Sequence, residues 1–291
     1  MISHRYIAAN GIDFHLATSG PGDGPPVVLL HGFPEFWYGW RHQMEPLASA
    51  GWQVIVPDQR GYGESGKPSG IAAYALDTLA DDVCEICSQL GHERFAVVGH
   101  DWGGIVAWHL AAREPARLSR LAILNAPHPA TLASYAFMHP TQAMRSAYVG
   151  FFQMPWLPEM ALRANDHALL AMALTGSSPA GTFDDAALAQ YRKAWSREGA
   201  LRAMLNWYRA MPLARPLQRR IEIPVKVLWG DADPALSSGL AEAGAAFCSH
   251  CEVVHLPRAT HWLHHELPEE VNALLTGFLN AAESAISELP S

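Results

Sequence analysis

Charge is scarce in this chain. Only 16% of its 291 residues are Asp, Glu, Lys or Arg, and acidic side chains outnumber basic ones by 28 to 20, for a formal net charge of -8. With no Lys/Arg cluster either, the chain is expected to bind neither nucleic acid nor anionic membranes, because it would have to overcome its own repulsion from phosphate. Long hydrophobic runs are also missing. No stretch approaches the roughly 18 apolar residues that a membrane-spanning helix needs, and the opening MISHRYIAANGIDF lacks the basic start and apolar stretch of a secretory signal. A soluble, cytoplasmic protein, monomer or homodimer, is therefore expected. There is no internal repeat and no low-complexity segment. Cysteine is limited to Cys84, Cys87, Cys248 and Cys251. These form two C-x-x-C pairs, but they lie far apart and lack the Gly or turn residues of a zinc knuckle, so they read as structural thiols.

What the chain has is apolar residues, 49% of the total, enough for one large core with an insertion. After a hairpin-like start from Tyr6 to Ala17, short apolar runs alternate with helical patterns. Val27–Leu30 ends at HGFP, and Trp52–Val56 ends at PDQRGYG. Apolar residues at 76, 79, 83, 86 and 90 mark an amphipathic helix. RFAVVGH is followed by a helix from Trp102, and LSRLAILN reads as a further strand. Continuously apolar strands between helices imply a parallel sheet covered on both faces, with ligands at the C-terminal strand ends. The alternation stops between residues 129 and 216, a mainly helical stretch holding seven of the nine methionines. It resumes with VKVLWG, LSSGLAEAGAAF, CEVVHLP and VNALLTGFL. The expected organisation is a core of residues 1–128 and 217–291 with a helical cap, or lid, at 129–216. The methionines either pack a core or line an apolar pocket. The tail AAESAISELPS is expected to fray.

GHDWG at 99–103 follows a strand and opens a helix. It fits the Gly-x-nucleophile-x-Gly elbow of the α/β-hydrolase fold, with Asp101 where Ser is usual. The exchange has chemical meaning. A serine attacking a saturated carbon would be left as an ether, whereas a carboxylate forms an ester that water can cleave at the enzyme's own carbonyl. Asp101 therefore points to epoxides or alkyl halides and away from esters and peptides. In this fold the acid and the histidine follow the nucleophile. Asp233 in WGDADP is the acid candidate, with Asp231 as its competitor, and Asn125 removes an alternative position. His261 in ATHWLHHE is the general base. His264 and His265 would sit on the first turn of a helix in solvated or capping roles. Peptide N–H groups of Phe33 and Trp102 would form an oxyanion hole, where one donor is worth about 10²–10³ in rate. Phe33, Trp102 and Glu35 are placed at the substrate pocket. Glu35 either orients the attacking water or is a plain surface carboxylate, and His31 serves backbone groups.

HGFPEFWYGWRHQ, PDQRGYGESGKP and GHDWGG together resemble the epoxide hydrolase branch of the α/β-hydrolases over nearly the whole chain. The resemblance implies two lid tyrosines that hold the epoxide oxygen. AYVGFFQMPWLPE resembles the motif of the first, at Tyr148, and LNWYRAMP that of the second, at Tyr208. It implies an apolar epoxide as substrate and a vicinal diol as product, with no metal, nucleotide or flavin required. One departure is Thr260, where the family usually has Gly before the histidine. A related dehalogenase is the nearest alternative. Haloalkane dehalogenases tend to carry Asn where this chain has Phe33, and fluoroacetate dehalogenases carry arginines where it has Trp102 and Ile105. A non-catalytic receptor on the same scaffold is the alternative from a different class.

Overall fold

The computed structural model describes residues 1–281, so the tail from Ala282 lies outside the described residues. The chain begins with the hairpin β1 (Ser3–Ala9) and β2 (Ile12–Ser19), turned by Asn10 and Gly11, both at positive φ. Such a pair is what a two-residue primed turn requires. β3 (Pro26–Leu30), α1 (Arg41–Ser49), β4 (Gln53–Pro57), α2 (Leu76–Gln89), β5 (Phe95–His100), α3 (Trp102–Arg113) and β6 (Leu118–Leu124) then alternate. Six helices follow: α4 (Leu132–Met138), α5 (Pro140–Arg145), α6 (Ala147–Phe152), α7 (Leu157–Thr175), α8 (Asp185–Trp195) and α9 (Ala200–Arg209). β7 (Val225–Gly230), α10 (Gly239–Ala245), β8 (Cys251–Leu256), α11 (Leu263–Glu266) and α12 (Pro268–Asn280) complete the described residues.

The eight strands form one sheet in the order β1-β2-β4-β3-β5-β6-β7-β8. It is parallel from β4 to β8, and β1 and β2 join antiparallel at one edge. Strand side chains divide by parity between two cores. Val27 and Leu29 face a layer holding Leu47 of α1 and Leu275 of α12, while Val28 and Leu30 face a layer holding Leu79 of α2 and Val106 of α3. This two-sided burial is why the strands read as unbroken apolar runs. On α2, Leu76, Leu79, Val83 and Ile86 are all buried, as their spacing predicts.

The chain order reverses at β3, which lies between β4 and β5. The loops leaving β3 and β5 therefore diverge from adjacent strand ends and open a crevice between them. Both sequence motifs, HGFP and GHDWG, leave the sheet there, with Leu30 beside Gly99 in register.

The helices between β6 and β7 are fastened to the loops at these strand ends. Trp195 Nε1 donates to Pro34 O at 2.6 Å and Trp207 Nε1 to Arg60 O at 2.9 Å. Gln142 Nε2 donates to Ala235 O at 2.9 Å. The methionines here mostly do not pack a core. Met138, Met144, Met154, Met160 and Met172 are exposed, and only Met204 is fully buried. These side chains lie on the solvent side of their helices and turns, so a Met-rich composition did not translate into burial. Of the cysteines, Cys87 and Cys248 are buried and Cys84 and Cys251 half-buried, all as free thiols. Burial pushes the Cys87 thiol well up. No helix among the described residues is long and apolar enough to cross a membrane.

Candidate active site

The turn between β5 and α3 holds Asp101 at φ 49° and ψ -121°, a conformation that a non-glycine residue adopts only when its surroundings enforce it. Two glycines make room for it. A Cβ on Gly103 would lie 2.1 Å from Leu30 O, and one on Gly32 would lie 2.4 Å from the Asp101 side chain. The side chain is thus pressed against the loop after β3. Oδ1 accepts the Phe33 N–H at 2.8 Å, while Oδ2 lies 3.6 Å from Nε2 of His261. The Trp102 N–H, at the first position of α3, belongs to a helix start whose N–H groups have no partner within the helix.

His261 follows β8. Its Nδ1 is 2.7 Å from Asp233 Oδ2. Asp233 is held in turn by three donors: Asn125 Nδ2 on Oδ2 at 2.7 Å, and the N–H groups of Ala235 and Leu236 on Oδ1 at 2.7 and 3.0 Å. Burial opposes charge on Asp233, but His261 and these donors outweigh it and hold the carboxyl below its usual range. Burial likewise opposes charge on His261, yet Asp233 and Asp101 together lift the imidazole to about 10. The competitor Asp231 points elsewhere and meets His255 Nδ1 at 2.6 Å. Asn125, noticed in the sequence only as a missing carboxylate, anchors the acid loop. It also accepts the Gly230 N–H at 2.7 Å.

Tyr208, on α9, is buried with its ring edge-on to Trp102 and Phe33, at centroid distances of 5.1 and 5.3 Å. Tyr148, on α6, meets the Tyr208 ring edge-to-face at 6.0 Å. Its phenol end is enclosed although the residue as a whole is 40% exposed. Burial raises both phenols above their usual value, and the Asp101 charge adds to this, so both keep their protons across the ordinary pH range. Phe152 touches both rings. Beside Trp102, a mainly apolar cavity of about 610 Å³ runs between α2, α3 and the inserted helices, lined in part by Leu79, Ile105, Leu132, Val149 and Trp207.

Two expectations need correction. Glu35 is not a surface carboxylate. It is buried and accepts hydrogen bonds on Oε1 from Tyr191 Oη at 2.6 Å and His265 Nε2 at 2.8 Å. Nor are His264 and His265 solvated helix-start residues; both are buried against that carboxylate. The helix they occupy, α11, is a single turn tucked under α1, with the Gln43 amide donating to His264 O at 2.9 Å, which turns their side chains inward. Thr260, the departure before the histidine, is held by Glu266. Its N–H donates to Glu266 Oε2 at 2.8 Å and its hydroxyl to Glu266 Oε1. His31 serves backbone groups as expected, accepting the Gln59 N–H at 3.1 Å.

This architecture has known counterparts. Residues 25–268 match the family described as the alpha/beta hydrolase fold. The chain is 43% identical over 277 residues to the AB hydrolase superfamily protein YfhM of Bacillus subtilis, covering 94% of this chain and 97% of that one. It is 35% identical over 288 residues to epoxide hydrolase 4 of Mus musculus, covering 95% and 79%. The crystal structure of the Bacillus megaterium epoxide hydrolase in complex with an inhibitor superposes with a TM-score of 0.88 at 29% identity, covering 95% of this chain and all of that one. The chain belongs to the epoxide hydrolase branch of the α/β-hydrolases. It is a hydrolase. In this hydrolase the acid loop, the histidine loop and the elbow all sit at C-terminal strand ends, so the sheet sets their spacing. The supports of Glu35 and Asp233 come from helices and loops that share no local motif with them. Reading the sequence missed Tyr191, and it missed the part Asn125 plays as a donor to Asp233, for that reason.

Proposed function

We propose that the chain hydrolyses apolar epoxides to vicinal diols through an ester on Asp101. The observation that carries this is the polarity of the two Asp101 oxygens. Oδ1 is already engaged by the Phe33 N–H, so Oδ2 is free to attack. When it does, Oδ1 becomes the ester carbonyl oxygen, lying where an oxyanion donor belongs. Phe33 and Trp102 are the oxyanion donors in this reading, and residues 129–216 are the cap that brings Tyr148 and Tyr208 over the elbow.

In the first step Oδ2 bonds to an epoxide carbon and the C–O bond breaks. The developing alkoxide takes a proton from the Tyr148–Tyr208 pair. Formation of the ester removes the negative charge of Asp101, one of the two charges that keep His261 protonated. The imidazolium thereby gives up its proton more readily; that proton restores the tyrosinate left by ring opening, and a neutral imidazole is left when a base is needed. Water then gives a proton to His261 and adds to the ester carbonyl. The tetrahedral intermediate collapses, releasing the diol and regenerating the Asp101 carboxylate. Asp233 fixes the tautomer and stabilises the imidazolium. The aromatic side chains around the two tyrosines, Phe33, Trp102 and Phe152, support a hydrophobic substrate.

The test is turnover of styrene oxide, an aliphatic epoxide, 1-bromobutane and fluoroacetate, with diol and halide followed together. Diol without halide is expected. Halide without diol would replace this reading with a dehalogenase, and neither product would favour a non-catalytic receptor. His261→Gln should trap the ester as added mass on the intact protein; an unmodified mass under saturating epoxide rules out the covalent step.

A further inference from the structure

Behind His261 lies a buried group of polar atoms that the proposed reaction does not use. The His100 ring donates from Nε2 to the carbonyl oxygen of His261 at 2.8 Å. A carbonyl can only accept, so that nitrogen carries the hydrogen, and in a neutral ring Nδ1 is a bare acceptor. Nδ1 points at Glu35 Oε2, 3.4 Å away. Nε2 of His264 approaches the same oxygen, also at 3.4 Å. Oε2, His100 Nδ1 and His264 Nε2 are fully buried and have no hydrogen-bond partner. All three side chains are 0% exposed.

His100 Nδ1 and the Glu35 carboxylate are both acceptors, and two buried acceptors facing each other repel unless positive charge lies between them. A proton on His100 would draw the carboxylate in to about 2.7–2.9 Å, the length of a charge-assisted bond. The two separations are longer than that. They match the edge of a metal polyhedron: donors about 2.1 Å from a tetrahedral zinc sit roughly 3.4 Å apart. The three donor atoms lie within 4.8 Å of one another, and two imidazoles with one carboxylate suit a borderline divalent cation. The surroundings resemble an outer coordination shell. His100 uses its other nitrogen on a backbone carbonyl, and Glu35 Oε1 is tied by Tyr191 and His265.

We propose that Glu35, His100 and His264 bind one divalent cation of the zinc type, with water completing its coordination. The ligands come from three segments: the loop carrying Phe33, the end of β5 next to Asp101, and the turn after His261. The cation therefore staples together the segments that shape the candidate active site. Its role is positioning, and its binding can be tested whether or not the proposed reaction is correct.

The test is to refold the full chain from guanidinium with Zn2+, with Co2+, or with a chelator, and to measure metal content, the visible spectrum and thermal stability. One zinc per chain is expected, resisting chelator while the protein is native. The Co2+ form should show the visible absorption of a tetrahedral centre, and the metal-free form should melt several degrees lower. His264→Gln should lose the metal and the difference in melting. If that variant does not fold, the wild-type cobalt spectrum and zinc content decide. Folded wild-type protein with less than about a tenth of a zinc per chain, and no cobalt band, would overturn the proposal.

Discussion

The side chains that matter most are those whose charge is set by neighbours rather than by solvent. His261 is the clearest. Its raised pKa of about 10 compares with about 6.5 in the unfolded chain. A group whose pKa rises on folding stabilises the fold fully below its unfolded value and loses that contribution as pH climbs through the folded one. Chemical denaturation should therefore show stability declining between about pH 6.5 and 10, by a few kcal/mol at most. Asp233→Asn removes the larger of the two attracting charges. The decline should shrink, and diol formation should fall about 10³–10⁴-fold as the imidazole loses its orienting partner. An unchanged rate would show that Asp233 is only structural. Tyr148→Phe and Tyr208→Phe should each slow ring opening, by about 10²-fold or more. The double variant should lose burst-phase ester formation altogether; a surviving burst would remove the tyrosines from the reaction.

At the scale of elements, the decisive features are the turns that leave the strands. Gly103→Ala would drive a methyl group into Leu30 O, 2.1 Å from where it must sit. Backbone cannot yield there as a flexible side chain could, so the variant should lose several kcal/mol of stability or fail to fold, which circular dichroism and urea titration would reveal. The turn after β8 is held differently, by Glu266 receiving both the N–H and the hydroxyl of Thr260. Glu266→Ala should cost about 1–2 kcal/mol, the usual range for losing such a cap. It should also weaken turnover through misplacement of His261, while Glu266→Gln retains most of both. Equal behaviour of the two variants would argue that the contact does not position the histidine.

The whole molecule divides into a sheet that fixes positions and an inserted set of helices that leaves several large apolar side chains exposed. Met138, Met144, Met154, Met160 and Met172, with Phe137 at 91% and Trp156 at 71%, lie exposed there. Mild peroxide should oxidise these five methionines well before Met44 and Met204, which are buried. Peptide mapping after short exposure would show this, and early oxidation of Met204 would mean that the helices open readily.

Much of this was legible in the sequence. The alternation of apolar runs and helices reports a parallel sheet because both its faces are covered. The elbow motif fixes Asp101 because only small residues tolerate that turn. The order of the chain places Asp233 and His261 after it for the same topological reason. Tyr148 and Tyr208 were legible only through a resemblance, since nothing local separates them from the other six tyrosines. The surroundings of Glu35 were not legible at all. Its neighbours His100, Tyr191, His264 and His265 come from three separate segments, and only the closing of the fold brings them to one carboxylate. Composition could not place the methionines either, because burial is decided by which side of a short helix meets the core. The sequence by itself determined the sheet and the candidate site residues displayed at its edge. Tertiary structure alone decided which polar groups would be shut away from water, because burial depends on contacts between segments that carry no mark of one another.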